Sequence, residues 1–391
     1  MRDDVAIVGA GPAGARAAYV LATRGARVTI LDASHPREKP CGGGVTGRAL
    51  ALVADAVDAA ACPASVIRSA RFTSSGGRRS AVVALEDRGP SAGSALLVAD
   101  RATFDAALLA AAERAGAVVD RSRVTHVTID AGGATLETTR GVRRAGFVIG
   151  ADGANSQVRR RVAAPFRRDQ LSIATGFFAH GVTSDEIVIE LTSDPPGYIW
   201  SFPRPTHLAI GICAQADAGA TAGTLRARAA RWIAATRIAH GARLESYSWP
   251  IPSLSASDFN EVALAGPRWA LVGDAAGLVD PITREGIYFA LASGQWIADT
   301  LAAGEDARVY ASRVRDEAMS ELGRAARLKA GFFRPAFTGL MMRGLQQSPA
   351  IREVMADLVA GRQPYASLKW RLLRTFEWRL AMRALAGHVR R

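Results

Sequence analysis

The chain has 391 residues, about half of them hydrophobic, and a formal net charge of +13. This length and composition predict a globular protein with one large core or two domains, not a fibrous or disordered chain. No run of about 18 uncharged apolar residues is present, so we expect no transmembrane span. The three cysteines have no metal-ligand spacing, and an odd number argues against a disulfide framework, so we expect no metal site and a reducing cytoplasm.

The positive charge comes largely from arginine and has three interpretations. It reflects a composition rich in alanine, glycine and arginine, or it attracts an anionic substrate or cofactor, or it attracts anionic lipid. No nucleic-acid-binding module is recognisable, so we expect no nucleic-acid partner.

The first thirty-two residues carry the clearest motif. Val5–Val8 predicts a buried strand, and the glycine-rich turn GAGPAG at residues 9–14 leads into an alanine-rich helix that continues to about Thr23. A second strand is predicted from Arg27 to Leu31, and Asp32 follows it. This is the βαβ arrangement of a dinucleotide site.

Each glycine of that turn has a physical role. Gly9 permits the tight turn, Gly11 lets a pyrophosphate approach the backbone, and Gly14 lets helix and strand pack closely. The helix start offers free N–H groups to phosphate. Asp32 stands where a carboxylate can bind the ribose hydroxyls of an adenosine.

A proline- and glycine-rich loop follows at residues 35–44 and ends in Cys41-Gly42-Gly43-Gly44. Loops of this composition beside a nucleotide site usually contact the ligand, so we predict that it is functional. Residues 45–70 are predicted to be helical. Arg101 stands at the start of a further predicted helix, where it can bind phosphate or a carbonyl.

Two more turns follow predicted strands and carry a carboxylate among small residues. The first is Ala151-Asp152-Gly153, and the second begins at Gly273-Asp274 and runs through Pro281 to Gly286 and Ile287, where a helix begins. A carboxylate at the end of a strand can accept hydrogen bonds from ligand hydroxyls, and the helix start can stabilise an anion.

Between these turns, residues 166–262 read as short alternating strands of a largely antiparallel sheet. Within them Tyr198, Trp200 and Phe202 alternate along one strand and therefore share one face. Such an aromatic face either packs in the core or forms a flat apolar wall for a substrate.

In their order along the chain, the spaced motifs resemble those of the FAD-binding group that includes para-hydroxybenzoate hydroxylase, over residues 1 to about 305. The resemblance implies bound FAD and an α/β fold, with a Rossmann-like FAD-binding domain, an inserted, mostly antiparallel-sheet substrate domain and a helical C-terminal region. The implied boundaries are 1–70, 100–165 and 263–305 for the FAD-binding domain, 71–99 and 166–262 for the substrate domain, and 306–391 for the C-terminal region. The implied cofactor contacts are Gly9, Gly11, Pro12, Ala13, Gly14, Asp32, Ala33, Cys41, Gly42, Gly43, Gly44, Arg101, Val124, Ala151, Asp152, Gly153, Gly273, Asp274, Pro281, Gly286 and Ile287.

Two local sequences, KPCGGGVTGRAL and GYIWSFP, are similar to the geranylgeranyl reductases, which saturate prenyl double bonds. This resemblance implies an apolar substrate lying against Tyr198, Trp200 and Phe202. It implies that Cys41 lies beside the flavin, either as the proton donor or as a small residue next to the ring, and that Arg284 has a catalytic role near the flavin pyrimidine ring. Those reductases commonly have glycine at the position of Arg284, which is a departure. NADPH or reduced ferredoxin is the expected electron donor.

Two other functions remain open at this point. An FAD-dependent monooxygenase acting on an apolar or aromatic molecule shares every FAD motif, and prenyl-binding carriers use the same fold without flavin. The C-terminal segment 368–391 interleaves arginines with Trp370, Leu373, Phe376, Leu380 and Leu385. It predicts either a peripheral membrane contact or a helix packed on the protein.

Overall fold

The computed structural model describes residues 3–58, 62–74, 79–85 and 95–375. These residues form three sheets and a set of helices. The strands are β1 (Asp3–Val8), β2 (Val28–Leu31), β3 (Gly44–Thr46), β4 (Ala64–Val66), β5 (Ser69–Thr73), β6 (Ser80–Ala84), β7 (Leu96–Ala99), β8 (Val118–Asp120), β9 (Val124–Asp130), β10 (Gly133–Thr138), β11 (Gly141–Gly150), β12 (Leu171–His180), β13 (Ile187–Ser193), β14 (Pro196–Pro203), β15 (His207–Gln215), β16 (Arg243–Pro252), β17 (Ala265–Gly266) and β18 (Trp269–Leu271). The helices are α1 (Pro12–Thr23), α2 (Gly47–Ala51), α3 (Arg101–Arg114), α4 (Gln157–Val162), α5 (Ala222–Thr236), α6 (Ala256–Glu261), α7 (Ile287–Ala302), α8 (Ala307–Val314), α9 (Ser320–Phe332), α10 (Pro335–Gln347), α11 (Pro349–Val359) and α12 (Tyr365–Arg374).

The first sheet has a parallel centre in the order β18-β11-β1-β2-β8. Its central strands are apolar and buried in the core, and α1 packs between β1 and the long helix α7. The antiparallel strands β9 and β10 extend from β11, and β17 closes the opposite edge. Because β1 has β2 on one side and β11 on the other, the strand order reverses there, which is where open α/β sheets bind ligands.

The second sheet has the order β16-β12-β15-β14-β13-β5-β6 and is antiparallel except where β13 pairs with β5. One face packs against α5 through Leu225, Ala229 and Trp232. The other face turns toward the first sheet and the C-terminal helices. The predicted fold class, with its antiparallel insertion and helical C-terminal region, is confirmed.

The helix predicted over residues 45–70 is wrong. Among the described residues of this stretch only α2 is helical, while β3 and β4 both pair with β7 in a small antiparallel sheet. Alanine-rich sequence favours a helix, but pairing with the buried strand β7 overrides that weak local preference.

The C-terminal helices α9 to α12 cover the open side of the second sheet. Met341, Leu345, Met355 and Leu358 pack with Phe72 from β5 in one apolar cluster. Tyr365 and Leu368 fix the start of α12 in the same cluster. Within the described ranges, no helix combines the length and the hydropathy that a membrane crossing requires.

Candidate active site

Three predicted motifs meet at the carboxyl ends of adjacent parallel strands. Gly9 follows β1, Ala151 follows β11, and Gly273 follows the short strand β18. Backbone hydrogen bonds hold these ends in register, since the Ala151 amide donates to the Val8 carbonyl at 2.8 Å. The three motifs, which are far apart in the sequence, therefore lie close together because their strands are neighbours in the sheet.

The turn after β1 is close-packed at Gly9 and open at Gly11. Gly9 has a φ of +105°, and a Cβ there would lie 2.4 Å from the Ala151 carbonyl oxygen. A Cβ on Gly11 would meet only the His35 imidazole, at 3.8 Å. The open side of Gly11 is thus a cradle next to the first N–H groups of α1.

Asp32 lies beside this cradle and is already hydrogen-bonded. Its carboxylate accepts from the Ala10 amide at 2.9 Å and from His35 Nδ1 at 2.8 Å, as well as from Ser34. Burial alone would raise the pKa of Asp32, but His35 and the backbone amides outweigh it and hold that pKa far below its usual range. Asp32 is therefore a carboxylate in the folded protein.

His35 was not singled out from the sequence, although it sits between two carboxylates. Its Nε2 is 3.5 Å from Asp105, which forms a buried bidentate pair with Arg101. Burial lowers the pKa of His35, but Asp105 and Asp32 outweigh that effect and raise it. When it is protonated, His35 brings positive charge to the open side of Gly11, where a pyrophosphate would approach.

The Cys41–Gly44 loop is held by Arg204, which sequence reasoning also missed. Arg204 is fully buried, pairs with Glu38 and donates to the Cys41 carbonyl at 2.6 Å. A Cβ on Gly42 would lie 2.8 Å from the Phe202 ring, so only glycine lets the loop reach the aromatic strand. Burial of an arginine cannot be read from sequence, and its position next to Pro203 was the only available signal.

The loop also reaches the second carboxylate turn. Lys39 Nζ lies 3.8 Å from Asp274, which follows β18. Cys41 Sγ accepts from the Gly43 amide at 3.3 Å. Arg101 and Cys41 both line the same cavity. Burial lowers the pKa of Arg101, but the Asp105 carboxylate and, after it, Cys41 outweigh this effect and raise it.

An apolar cavity continues from these motifs under the second sheet. A row of paired residues crosses five strands as its wall: Leu191, Tyr198, Cys213, Ala174 and Trp249. Trp200 and Phe202 line the next part, and Phe332, Met355 and Leu358 close it from the C-terminal helices. The Tyr198 hydroxyl donates to the Thr283 carbonyl at 2.9 Å and so joins the wall to the loop before α7.

Most of the predicted site residues come together. Those lining the cavity are Pro12, Cys41, Gly42, Gly43, Gly44, Arg101, Tyr198, Trp200, Phe202, Asp274, Arg284, Gly286 and Ile287. Pro281 is buried in the loop before α7 and is not among the lining residues. Val124 begins β9, is buried in the core of the first sheet and lies apart from the cavity. Asp152 directs its carboxylate to the Gln157 amide at 2.6 Å, where it caps α4.

Arg284 occupies a left-handed conformation with a φ of +62°. A side chain in this region costs of order 1 kcal/mol or more, and such strain is concentrated at functional sites. The guanidinium lines the cavity and donates through Nη1 to Ser253 Oγ. Its predicted action on the flavin remains a prediction.

These residues fit FAD. The cradle at Gly11, the start of α1 and His35 suit the pyrophosphate, Asp274 suits a polyol chain, and the start of α7 at Gly286 suits an electron-rich ring. Fold and site together define a flavoprotein with a dinucleotide site opening into an apolar chamber.

Comparisons with known proteins agree with the conclusion that this protein is a flavoprotein. A family model described as "FAD binding domain" matches residues 2–304. The chain is 31% identical over 363 residues to a digeranylgeranylglycerophospholipid reductase of Methanothrix thermoacetophila, covering 85% of this chain and 88% of that protein. It is 30% identical over 319 residues to a menaquinone reductase of Mycolicibacterium smegmatis, covering 78% and 77%.

Solved structures share the fold. A geranylgeranyl bacteriochlorophyll reductase-like protein from Thermoplasma acidophilum aligns with a TM-score of 0.78 at 22% identity, over 96% of this chain and 99% of that one. A flavin-dependent brominase aligns with a TM-score of 0.71 at 19% identity, over 96% and 99%. The chain belongs to this FAD-binding family, and it is an FAD-dependent oxidoreductase of the geranylgeranyl reductase type.

Proposed function

We propose that this protein reduces carbon–carbon double bonds of a polyprenyl substrate. The observation that carries the proposal is the apolar wall from Leu191 to Trp249, which continues from the FAD motifs. A flexible apolar chain can lie along such a wall, and its burial contributes roughly 25 cal/mol per Å² of contact. The names of the relatives, which refer to prenylated lipids and quinones, support the same substrate class.

FAD, when bound and reduced, supplies hydride chemistry at the chamber. The protein orients both partners: Tyr198 holds the loop before α7, and Phe202 packs on the Cys41–Gly44 loop. Saturation also needs a proton at the second alkene carbon. Cys41 lines the chamber beside Arg101 and is our candidate donor of that proton through Sγ. NADPH or reduced ferredoxin is the proposed source of electrons.

The test is anaerobic turnover of dithionite-reduced holoenzyme with geranylgeranyl compounds, followed by mass spectrometry. We expect products heavier by two hydrogens for each bond reduced. The alternative function is that of an FAD-dependent monooxygenase. The fold is also shared with a flavin-dependent brominase, so the fold alone does not decide between the two functions. Absence of saturated product, together with an oxygenated product from an apolar or aromatic substrate in air, would overturn the reductase proposal in favour of that alternative.

We also propose that α12 contacts the membrane that holds the substrate. Tyr365 and Leu368 anchor the helix, whereas Trp370 is 68% exposed and Leu373 is 42% exposed. Arg374 is exposed next to Leu373 and suits an anionic headgroup, at about 1 kcal/mol, whereas Arg371 pairs with Asp357 at 2.7 Å. Residues 376–391, which complete the segment predicted from the sequence, lie outside the described residues.

Replacing Trp370 with serine should lower flotation of the holoenzyme with vesicles of anionic phospholipid. Tryptophan is lost from a helix face that has apolar and basic groups together, so insertion at the interface weakens. The control is Val142→Ser, because Val142 is 61% exposed but stands on β11, far along the chain from α12. Equal flotation of the two variants would count against the membrane contact.

A further inference from the structure

The sheet face that forms the cavity wall carries polar side chains beyond its apolar row. On β15, Gln215 follows Cys213 by two residues, and on β12, Ser172 precedes Ala174 by two. Ser253 follows Ile251 in the same alternation after β16, and its amide continues the pairing by donating to the Gln170 carbonyl at 2.8 Å. Side chains two apart on a strand share a face, so Ser172, Gln215 and Ser253 lie on the same face of the sheet as the wall, beyond the residues that line the cavity.

Two cations converge on these polar side chains from other elements. Arg284 donates to Ser253 Oγ from the loop before α7, and Lys329 of α9 donates to the same oxygen at 2.8 Å. Lys329 also donates to Gln215 Oε1, which accepts from Ser253 Oγ at 3.0 Å. The Ser253 hydroxyl is therefore shared by the two positive groups, and the Gln215 amide oxygen accepts from Lys329 alone.

No carboxylate in the described part of the chain lies within ion-pair distance of either cation. Asp217 is the acidic group whose field reaches Lys329, and it is exposed. Burial and the neighbouring Arg284 guanidinium together lower the pKa of Lys329 to about 7. A guanidinium and an amine held together without a nearby carboxylate favour binding of an anion, because the anion stabilises the protonated form of the amine.

Hydrogen-bond donors without an acceptor also favour an anion at this place. Arg284 Nε and Trp249 Nε1 are buried and find no acceptor among the described residues. Trp249 and Arg284 both line the cavity, and the Arg37 guanidinium stacks on the Trp249 ring at 4.9 Å. The end of the apolar wall therefore carries three positive groups and two free donors. Phosphate oxygens are suited to accept several charge-assisted hydrogen bonds from such a set.

We propose that Arg284, Lys329 and Ser253 form a binding site for the phosphate or diphosphate head of a prenyl substrate whose chain lies along the apolar wall. This inference rests on the proposed function and narrows it, because the relatives are named for substrates with different heads. A quinone carries no phosphate, whereas a glycerophospholipid does. The site assigns this chain to the phosphate-bearing class, and it uses an arginine where the resembling reductases commonly have glycine.

The experiment measures binding to the oxidised holoenzyme of geranylgeranyl diphosphate, geranylgeranyl monophosphate and geranylgeraniol, which differ only in the head. Lys329→Met removes one cation, and Arg284→Gly removes the other and suits the left-handed backbone. Arg327→Met is the matched control, since Arg327 is exposed on the same helix as Lys329.

We expect the wild-type protein to bind both phosphate esters more tightly than the alcohol. Each cation variant should weaken binding of the phosphate esters about tenfold or more, as loss of a charge-assisted hydrogen bond predicts, and Lys329→Met should change binding of the alcohol little. Inorganic pyrophosphate should compete with geranylgeranyl diphosphate in the wild type and in Arg327→Met, but only weakly in Lys329→Met. Equal affinity of the wild type for ester and alcohol, or equal losses for both in the variants, would overturn the site.

The same compounds in anaerobic turnover separate this proposal from the proposed function. Head-dependent binding without any saturated product would retain the site and remove the reductase function. Saturation of the alcohol as efficiently as of the diphosphate would retain the function and remove the site. The reduction potential of the flavin provides a further check, because Lys329→Met should leave it unchanged.

Discussion

Replacing Gly11 with alanine should give a folded protein that has lost most of its affinity for FAD. The backbone of Gly11 has φ −69° and ψ −178°, which alanine adopts freely, and the new Cβ would lie at an ordinary contact distance of 3.8 Å from His35. The methyl group would nevertheless occupy the cradle. Loss of one charge-assisted hydrogen bond to phosphate costs about 1.5–3 kcal/mol, so the Kd for FAD should rise about 10- to 150-fold.

The control is Gly14→Ala, in which the new methyl group overpacks the contact between α1 and the turn after β1. A Cβ there would lie 2.0 Å from the Gly9 carbonyl oxygen, so α1 would have to move from the turn. Overpacking of this kind costs about 1–3 kcal/mol of stability. Titration of the apoproteins with FAD and thermal unfolding without FAD separate the two effects. A Gly11→Ala protein that binds FAD normally would contradict the assignment of the pyrophosphate site.

The second large effect on activity is expected from replacing Trp200. The Trp200 ring lines the cavity and packs over Gly211. A Cβ on Gly211 would lie 2.3 Å from the ring, so the two residues are fitted to each other. Trp200→Leu removes apolar contact with a prenyl chain worth about 2 kcal/mol, and we expect kcat/KM for a geranylgeranyl substrate to fall about 30-fold. FAD content should stay unchanged, because the ring belongs to the substrate wall.

Trp232→Leu supplies a matched comparison. Trp232 is 7% exposed and Trp200 is 5% exposed, but Trp232 packs from α5 on the opposite face of the same sheet. Both variants should lose stability, as measured by thermal unfolding, and only Trp200→Leu should lose turnover below its melting temperature. If Trp200→Leu releases FAD while substrate binding persists, the assignment of Trp200 to the substrate wall is wrong.

Local sequence was informative wherever one strand and the turn after it form a unit. The GAGPAG turn, the strand–helix–strand pattern around it and the shared face of Tyr198, Trp200 and Phe202 follow from backbone geometry within a few residues. The same reasoning failed over residues 45–70, because β3 and β4 form by pairing with β7, which lies some thirty or more residues later in the chain. Strand pairing over such distances depends on partners that a local pattern does not contain.

Residue types and spacing by themselves determined the dinucleotide motif, the class of fold and the apolar aromatic strand. Tertiary structure alone decided the electrostatics, since His35, Arg204 and Lys329 acquire their partners from distant segments. The physical reason is that the state of a charged group depends on burial and on neighbours within a few ångströms, which only folding brings together. Sequence marked Arg284 as a departure from its relatives, and the folded chain placed it next to Lys329.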